Sequence, residues 1–291
     1  TQKNGVNIIN CEVCKYMHTD PLPSFDEVST FYKDDYYEEI KPEMLSDYED
    51  SIDWFNQMYD DRLLIFEEIL GKKSRLLDIG AGAGYFLKRS AQKGWDYYGI
   101  EASKAACAYA KKYNNINIDN NLVENVENEK IGKVDAINMS EFLEHVLDPG
   151  MVIKKSYEIL NDNGVIFIMI PNEFNRLQMI SNKLFPKSSD YWVVPDHHYN
   201  YFNKKSITYL LESNGFKVFK YEVSFPIETL LVSGNNYIEN RELSKSFYNG
   251  IKNFELNLVN NDMRQLKRDI YSKFAELEIG RDFMVYAQKQ K

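Results

Sequence analysis

Three cysteines in 291 residues are too few for a disulfide framework and point to a reducing compartment. Basic residues are outnumbered too: 35 Lys and Arg face 44 Asp and Glu, for a net charge of −9 and a pI of about 5.1. That balance argues against a nucleic-acid partner, because neutralising phosphates needs a basic footprint. No apolar run approaches the ~20 residues of a membrane span. The longest, Val165 to Ile170, is strand-sized. No signal-peptide pattern opens the chain, which begins at Thr1, and no internal repeat or low-complexity tract interrupts it. The cytoplasm is the expected location. What the chain does have is 44% apolar content and enough length for one large domain or two small ones.

The densest signal is Leu76-Leu77-Asp78-Ile79-Gly80-Ala81-Gly82-Ala83-Gly84-Tyr85, a buried strand running into a glycine turn and then a helix. Gly80 and Gly82 permit positive φ and close approach of a ligand, and Gly84 permits tight packing at the helix start. The helix beyond offers unpaired N–H groups and the positive end of its dipole. A dinucleotide fingerprint is G-x-G-x-x-G, whereas here the third glycine comes one residue early. Asp78, two places before the first glycine, would gain nothing from a pyrophosphate but would suit a ligand carrying an ammonium and a sulfonium. A second strand, Trp95 to Ile100, ends at Glu101. Doubly wound folds place a carboxylate at this distance from the glycines to accept two ribose hydroxyls. Ser103 caps a helix from Lys104 to Tyr113.

The glycine stretch resembles motif I, (D/E)-x-G-x-G-x-G, of the class I S-adenosylmethionine (SAM) methyltransferases. The run Leu143-Glu144-His145-Val146-Leu147-Asp148-Pro149, after a fourth strand Val134 to Met139, resembles the L-E-H-V-x-D-P motif of a subgroup containing quinone and sugar enzymes. The resemblance implies an α/β Rossmann-like fold with a seven-stranded, mostly parallel sheet in the order 3-2-1-4-5-7-6 and helices on both faces. It implies SAM as cofactor and S-adenosylhomocysteine (SAH) as product. The implied cofactor residues are Asp78, Gly80, Gly82, Gly84, Tyr85, Glu101, Ala102, Asn120, Met139 and Ser140. Asn120 or Asn121 would reach the adenine, although asparagine clusters are also ordinary turn formers.

Along the rest of the chain, Cys11-Glu-Val-Cys14 with His18 has metal-ligand spacing. Zinc takes four ligands and three lie nearby, so no metal is assigned. A reduced pair on a hairpin is the other reading. The segment resembles the second half of the zinc knuckle that precedes some sugar-related methyltransferases, with Asp20-Pro21-Leu22-Pro23, Phe31-Tyr32 and Tyr36-Tyr37 following in order. Residues 33 to 61 are acidic, and helical spacing continues to about Leu70. The resemblance implies a lid here, with Tyr36, Tyr37 and Arg62 as candidates for covering SAM or holding its carboxylate. A solvated helix face explains the charges equally. The divisions expected are an N-terminal segment 1–30, a helical cap 31–70, the cofactor core 71–225, a helical insertion 226–279 for acceptor specificity or a homodimer surface, and a last antiparallel strand 280–291.

The third strand is expected at Asn115 to Ile118, a turn at Asn161 to Gly164, a fifth strand at Val165 to Ile170 and a helix from about Glu173 to Leu184. Asp148 reads as an N-cap, with Pro149 as first helical residue. Three histidines are candidate bases: His145, which either stands near the chemistry or caps that helix, and His197 and His198, in an aromatic loop without periodicity. The alternative for the pair is interlocked loop packing. Tyr191 and Trp192 would offer ring faces to a sugar, with Asn172 and Tyr199 as further acceptor contacts. Methyl transfer is an in-line displacement, and a hydroxyl acceptor needs its proton removed, which suits histidine. The expected function is O-methylation of a sugar, nucleotide-activated or part of a surface polysaccharide, a carbohydrate modification on a small-molecule acceptor in the first case. The alternatives are a phenolic or quinone-like acceptor, or a SAM-binding partner subunit without catalysis.

Overall fold

A computed structural model describes residues 1–33 and 48–290; Tyr36 and Tyr37 lie outside the described residues. In chain order its strands are β1 Gln2–Lys3, β2 Val6–Asn10, β3 Met17–Asp20, β4 Arg75–Ile79, β5 Asp96–Glu101, β6 Asp119–Asn120, β7 Val134–Ser140, β8 Leu160–Pro171, β9 Asn200–Tyr201, β10 Phe216–Val223 and β11 Asp282–Lys289. The larger sheet runs β10-β11-β8-β7-β4-β5-β6, the expected order read from its other edge. β4 lies parallel between β5 and β7, with Asp78 opposite Gly99 on one side and Asn138 on the other. β11 reverses direction. The Ser224 N–H bonds the Asp282 carbonyl at one end of its pairing with β10, and the Gln290 N–H bonds Gly215 at the other. The residue numbers therefore run in opposite senses.

The central strands are apolar because both their faces are covered. Leu76, Leu77, Ala136, Ile137 and the run Val165 to Ile168 are fully buried. Burial of each large aliphatic side chain contributes roughly 1.5–3 kcal/mol.

Four local expectations are corrected. The third strand is Asp119–Asn120 rather than 115–118, because Asn115 takes a left-handed conformation (φ 55°) that ends the preceding helical turn and delays sheet entry. The helix opening at Lys104 is α-helical only to Tyr109 and continues as a π-helical turn to Asn114. Residues 161–164 belong to β8 rather than to a turn; Asn161 is tied to Asp135 and the Asn163 carbonyl accepts from Gln288. The helix expected at Glu173 begins at Arg176, because Phe174 is left-handed (φ 60°) and Asn175 is the cap, its side chain accepting from the Leu177 and Gln178 N–H groups.

The chain divides into two compact units, each assembled from separate segments. One comprises Thr1–Pro21, Met169–Tyr209 and Lys220–Val285. Within it β1-β2-β3-β9 form a small sheet in which Met17 pairs with Tyr201 and His18 with Asn200. Ile8, Trp192, Val193 and Tyr201 pack together there. This unit also carries the helices Glu228–Val232, Arg241–Asn260 and Arg264–Leu277, the last two joined by a Tyr271 to Glu255 hydrogen bond. The other unit comprises Leu22–Ile168, Leu210–Phe219 and Tyr286–Lys291, and holds β4 to β7 with the loops that follow them. Among the described residues, no helix is long and apolar enough to cross a membrane.

Candidate functional site

The turn after β4 is shaped by backbone that only glycine adopts comfortably. Gly80, Gly82 and Gly84 have φ of 74°, 51° and 72°. A Cβ on Gly80 would stand 2.6 Å from Phe142 Cδ2, a ring that the loop after β7 lays across the turn. Gly84 caps the helix Tyr85–Gln92, so that helix's first N–H groups face the turn.

Glu101, at the end of β5, is folded back onto this turn. Its Oε2 accepts the Gly82 N–H at 2.9 Å and its Oε1 accepts the Ser103 N–H at 2.9 Å. Burial raises its pKa, and the Ser103 and Gly82 amides pull it back down. The Ala102 amide lowers it as well, and the carboxylate keeps capacity to accept a ribose hydroxyl. Asn120 donates its amide to the Glu101 and Ala102 carbonyls at 3.0 and 2.8 Å, which leaves its oxygen as the end an adenine amino group would meet. These acceptors suit SAM's ribose hydroxyls and adenine amino group.

Asp78 sits beneath the turn, 3% exposed. Its Oδ1 accepts from Asn138 Nδ2 at 2.5 Å, and Asn138 Oδ1 accepts from Arg62 Nη1 at 2.6 Å. Arg62 also donates to Ser140 Oγ at 2.9 Å and stacks 3.7 Å over Phe167. Arg62 is therefore a core cation rather than a lid residue. Burial pushes the Asp78 carboxyl up to about 7, against the pull of Asn138 and Arg62. A buried carboxyl this reluctant to ionise favours a cationic ligand, and an ammonium group supplies one. Met139 is buried inside the sheet beside Ile79, so its side chain is core. The Tyr85 ring stacks on Tyr48 at 5.1 Å and its hydroxyl meets Tyr109, which makes it part of an aromatic stack.

The histidines fall in two loops. His145 shares a 2.8 Å hydrogen bond with the Tyr32 hydroxyl through Nδ1, and their rings meet edge-on at 5.5 Å. It does not cap the next helix, since Asp148 does so by accepting the Met151 N–H. In the other unit, the His198 Nδ1 lies 3.1 Å from Glu173 Oε1, and the His197 ring packs against it edge-on at 4.9 Å. Burial raises the Glu173 pKa well above the usual carboxylate range.

The expected acceptor contacts separate. Trp192 is 2% exposed, its ring edge-on to Phe174 and Tyr191, and Tyr199 is buried. Neither offers a free face. Asn172 is buried, donating to the Glu278 and Gly280 carbonyls, a structural tie. Of the four, Tyr191 lines a cleft of about 470 Å³, together with Tyr237, Glu239, Ser244, Tyr248 and Arg281. Its hydroxyl donates to buried Glu228, which also receives Gln178 and Arg281.

The sequence reading missed Glu173, Asn138, Tyr32 and Phe142. A carboxylate just past the end of a central strand was the available signal for Glu173. At the N-terminus the Cys11 and Cys14 thiols of the β2–β3 turn and a ring nitrogen of His18 on β3 lie within 4.8 Å of one another, and the Cys14 backbone N–H and His18 hold the Cys11 thiol down at about 6. Among the described residues that is one donor short of a tetrahedral set.

A family described as "Methyltransferase domain" matches residues 53–221. The ubiquinone biosynthesis O-methyltransferase of Acinetobacter baumannii (strain AYE) is 31% identical over 110 residues, 36% of this chain and 46% of that protein. The enzyme of the same name from Pseudomonas aeruginosa (strain UCBPP-PA14) is 31% identical over 109 residues, with the same coverage. The chain thus spans less than half the length of these relatives. The solved plantazolicin methyltransferase BpumL, in complex with SAH, is 14% identical with a TM-score of 0.53 over 91% of this chain and 95% of that one. With a monoazolic desmethylPZN analog also bound, the TM-score is 0.54 at 16% identity and the same coverage. At these identities the likeness is one of fold.

Proposed function

This chain belongs to the class I SAM-dependent methyltransferase family, and we propose that it methylates a hydroxyl group of a small-molecule sugar. Asp78 would face the ammonium end of the cofactor, Glu101 the ribose and Asn120 the adenine. When bound, SAM supplies a methyl group activated on a sulfonium. The chain's own task is then to fix the acceptor about 3 Å from that methyl and to take the hydroxyl proton as the new bond forms.

The observation that carries the oxygen chemistry is the anchored imidazole of His198, bonded through Nδ1 to Glu173. An imidazole bonded at one nitrogen is fixed in orientation, and histidine is suited to take a proton near neutral pH. The sugar reading is supported by the Tyr191 cleft, where tyrosine rings alternate with Glu239, Ser244 and Arg281, groups that can bond hydroxyls. A phenolic or quinone-like acceptor is the second reading, favoured by the relatives named for ubiquinone biosynthesis.

The test is SAH release by the purified protein with nucleotide-sugars, amino-sugars and catechols. Turnover with a nucleotide-sugar and an O-methyl product by NMR is expected. Turnover confined to catechols would replace the sugar by the second reading. Turnover confined to amino-sugars, with the methyl on nitrogen, would overturn the oxygen chemistry.

A further inference from the structure

We propose that the Tyr191 cleft is an anion site, in which Arg281 holds the phosphate of a phosphorylated ligand and the tyrosine rings hold the sugar or base attached to it. The proposal rests on the reading of this cleft as a sugar site, narrows its ligand to a phosphate ester, and concerns binding within one compact unit.

The cleft draws Tyr191, Tyr237, Ser244 and Arg281 from separate places in the chain, all of them in the unit that comprises Met169–Tyr209 and Lys220–Val285. Each is held by contacts that do not involve a ligand. Tyr237 is buried, packs with Ile227 and Leu231 and meets the Phe247 ring edge-on at 6.2 Å. Asn240 caps the helix Arg241–Asn260 by accepting the Leu243 N–H at 3.0 Å, which sets the turn that carries Ser244. The Arg281 carbonyl accepts the Asn172 N–H at 2.9 Å, and its guanidinium carbon stands 5.8 Å from the centre of the Tyr191 ring. Walls fixed in advance lose little conformational entropy when a ligand enters.

Arg281 decides the charge of that ligand. A guanidinium carries five N–H donors in a planar fork. Among the described residues, its one side-chain hydrogen bond runs to Glu228 Oε1 at a long 3.4 Å. That oxygen also takes the Tyr191 hydroxyl at 3.0 Å and the Gln178 amide at 3.3 Å. Glu228 is fully buried and is not part of the cleft lining, so it balances the guanidinium from behind. The Arg281 side chain is 25% exposed, and none of its nitrogens is buried without a partner. The N–H groups not given to Glu228 therefore open on the cleft. Such a fork matches two oxygens of one phosphate, in charge-assisted bonds roughly twice as strong as neutral ones. At the rim Glu239 and Arg241 supply one charge of each sign, and Glu239 Oε1 is taken by the Ser188 hydroxyl at 2.6 Å. A volume of about 470 Å³ falls within the range of small-molecule sites and leaves room for a ring beside the phosphate.

Calorimetry on the full chain tests this, with SAH saturating so that nucleotides do not enter the glycine turn. The probes are uridine diphosphate, glucose 1-phosphate, inorganic phosphate and glucose. Glucose 1-phosphate should bind at least about 30-fold more tightly than glucose. Equal affinities would overturn the proposal, and so would inorganic phosphate binding as tightly as both esters, since the rings would then contribute nothing. Uridine diphosphate binding more tightly than glucose 1-phosphate is the expected order and makes the source a nucleotide; the reverse order makes it a sugar phosphate. Arg281→Gln alone would leave Glu228 buried without its counter-charge, so the paired variant Arg281→Gln with Glu228→Gln is used. It should lose the preference for glucose 1-phosphate over glucose, and a preference that survives would overturn the proposal. Ser244→Asp adds a carboxylate to the cleft without touching that pair and should weaken glucose 1-phosphate at least about tenfold. Unchanged affinity in Ser244→Asp would overturn the proposal even if the paired variant did not fold. Methyl transfer to an unphosphorylated sugar, by a protein with no preference for phosphate, would leave the proposed function standing and overturn the anion site. Phosphate-dependent binding without methyl transfer to any sugar would do the reverse.

Discussion

Asp78 should make cofactor binding dependent on pH. Its carboxyl is raised from the usual 3.8 to about 7 by burial, with the Asn138 hydrogen bond and the Arg62 charge lowering it and the Glu101 charge adding to the rise. At 1.36 kcal/mol per pKa unit, ionising it in the folded protein costs about 4 kcal/mol more than in the unfolded chain. The folded state therefore binds this proton more tightly than the unfolded one. Its stabilising contribution is full below about pH 4, declines as pH rises to about 7, and is flat beyond. An ammonium group that needs the carboxylate must displace the proton below pH 7, so SAM affinity should fall up to tenfold per pH unit on acidification from 7.5 to 5.5. Asp78→Asn should abolish that slope, bind SAM about as weakly at pH 7.5 as wild type does at low pH, and remove the loss of apo stability between about pH 4 and 7. Isothermal titration calorimetry and thermal unfolding across this range measure both. A wild-type affinity independent of pH, or a slope that survives in Asp78→Asn, would refute the reasoning; in the second case Glu101, also raised by burial, is the group to test.

Gly80→Ala places a methyl 2.6 Å from the Phe142 ring at a φ of 74°, so SAM affinity should fall at least tenfold in calorimetry and stability by about 1–3 kcal/mol. Arg62→Met keeps the stem over Phe167 but removes the bonds to Asn138 and Ser140; urea unfolding should report a loss of about 3–5 kcal/mol, because Asp78 and Asn138 lose their buried counter-charge. Trp192→Ala should cost about 3–5 kcal/mol through the cavity it leaves. Tyr191→Ala should act differently, raising the acceptor KM at least fivefold with a smaller shift in Tm than Trp192→Ala.

The parts of the fold that were legible are those in which neighbouring residues determine the outcome. Asp78 to Gly84 reads as strand, turn and helix because three positive-φ positions need three glycines, and Asp148-Pro149 reads as a helix start because cap and first residue have distinct chemistry. The strand order followed from family resemblance rather than from any residue taken alone. The failures lie where tertiary partners override local preference. Asn161 to Asn163 resemble turn formers but are drawn into β8 by Asp135 and Gln288. Trp192 and Tyr191 are adjacent and chemically alike, yet one fills the core under the small sheet and the other faces a cleft, a difference set by packing partners as distant in sequence as Ile8. Glu173 was read as the start of a helix because a left-handed Phe174 has no sequence signal. The Asp78–Asn138–Arg62 chain joins three elements and could not be read from any one of them.

The central claim is that the Gly80–Gly84 turn and Glu101 form the cofactor cradle. The most direct measurement is calorimetric titration of SAH into the wild-type protein and into Glu101→Ala. The account predicts one site per chain with micromolar affinity in the wild type, weakened at least 100-fold in the variant, with the far-ultraviolet circular dichroism unchanged. Equal affinity in the two proteins, or no binding to the wild type, would contradict it.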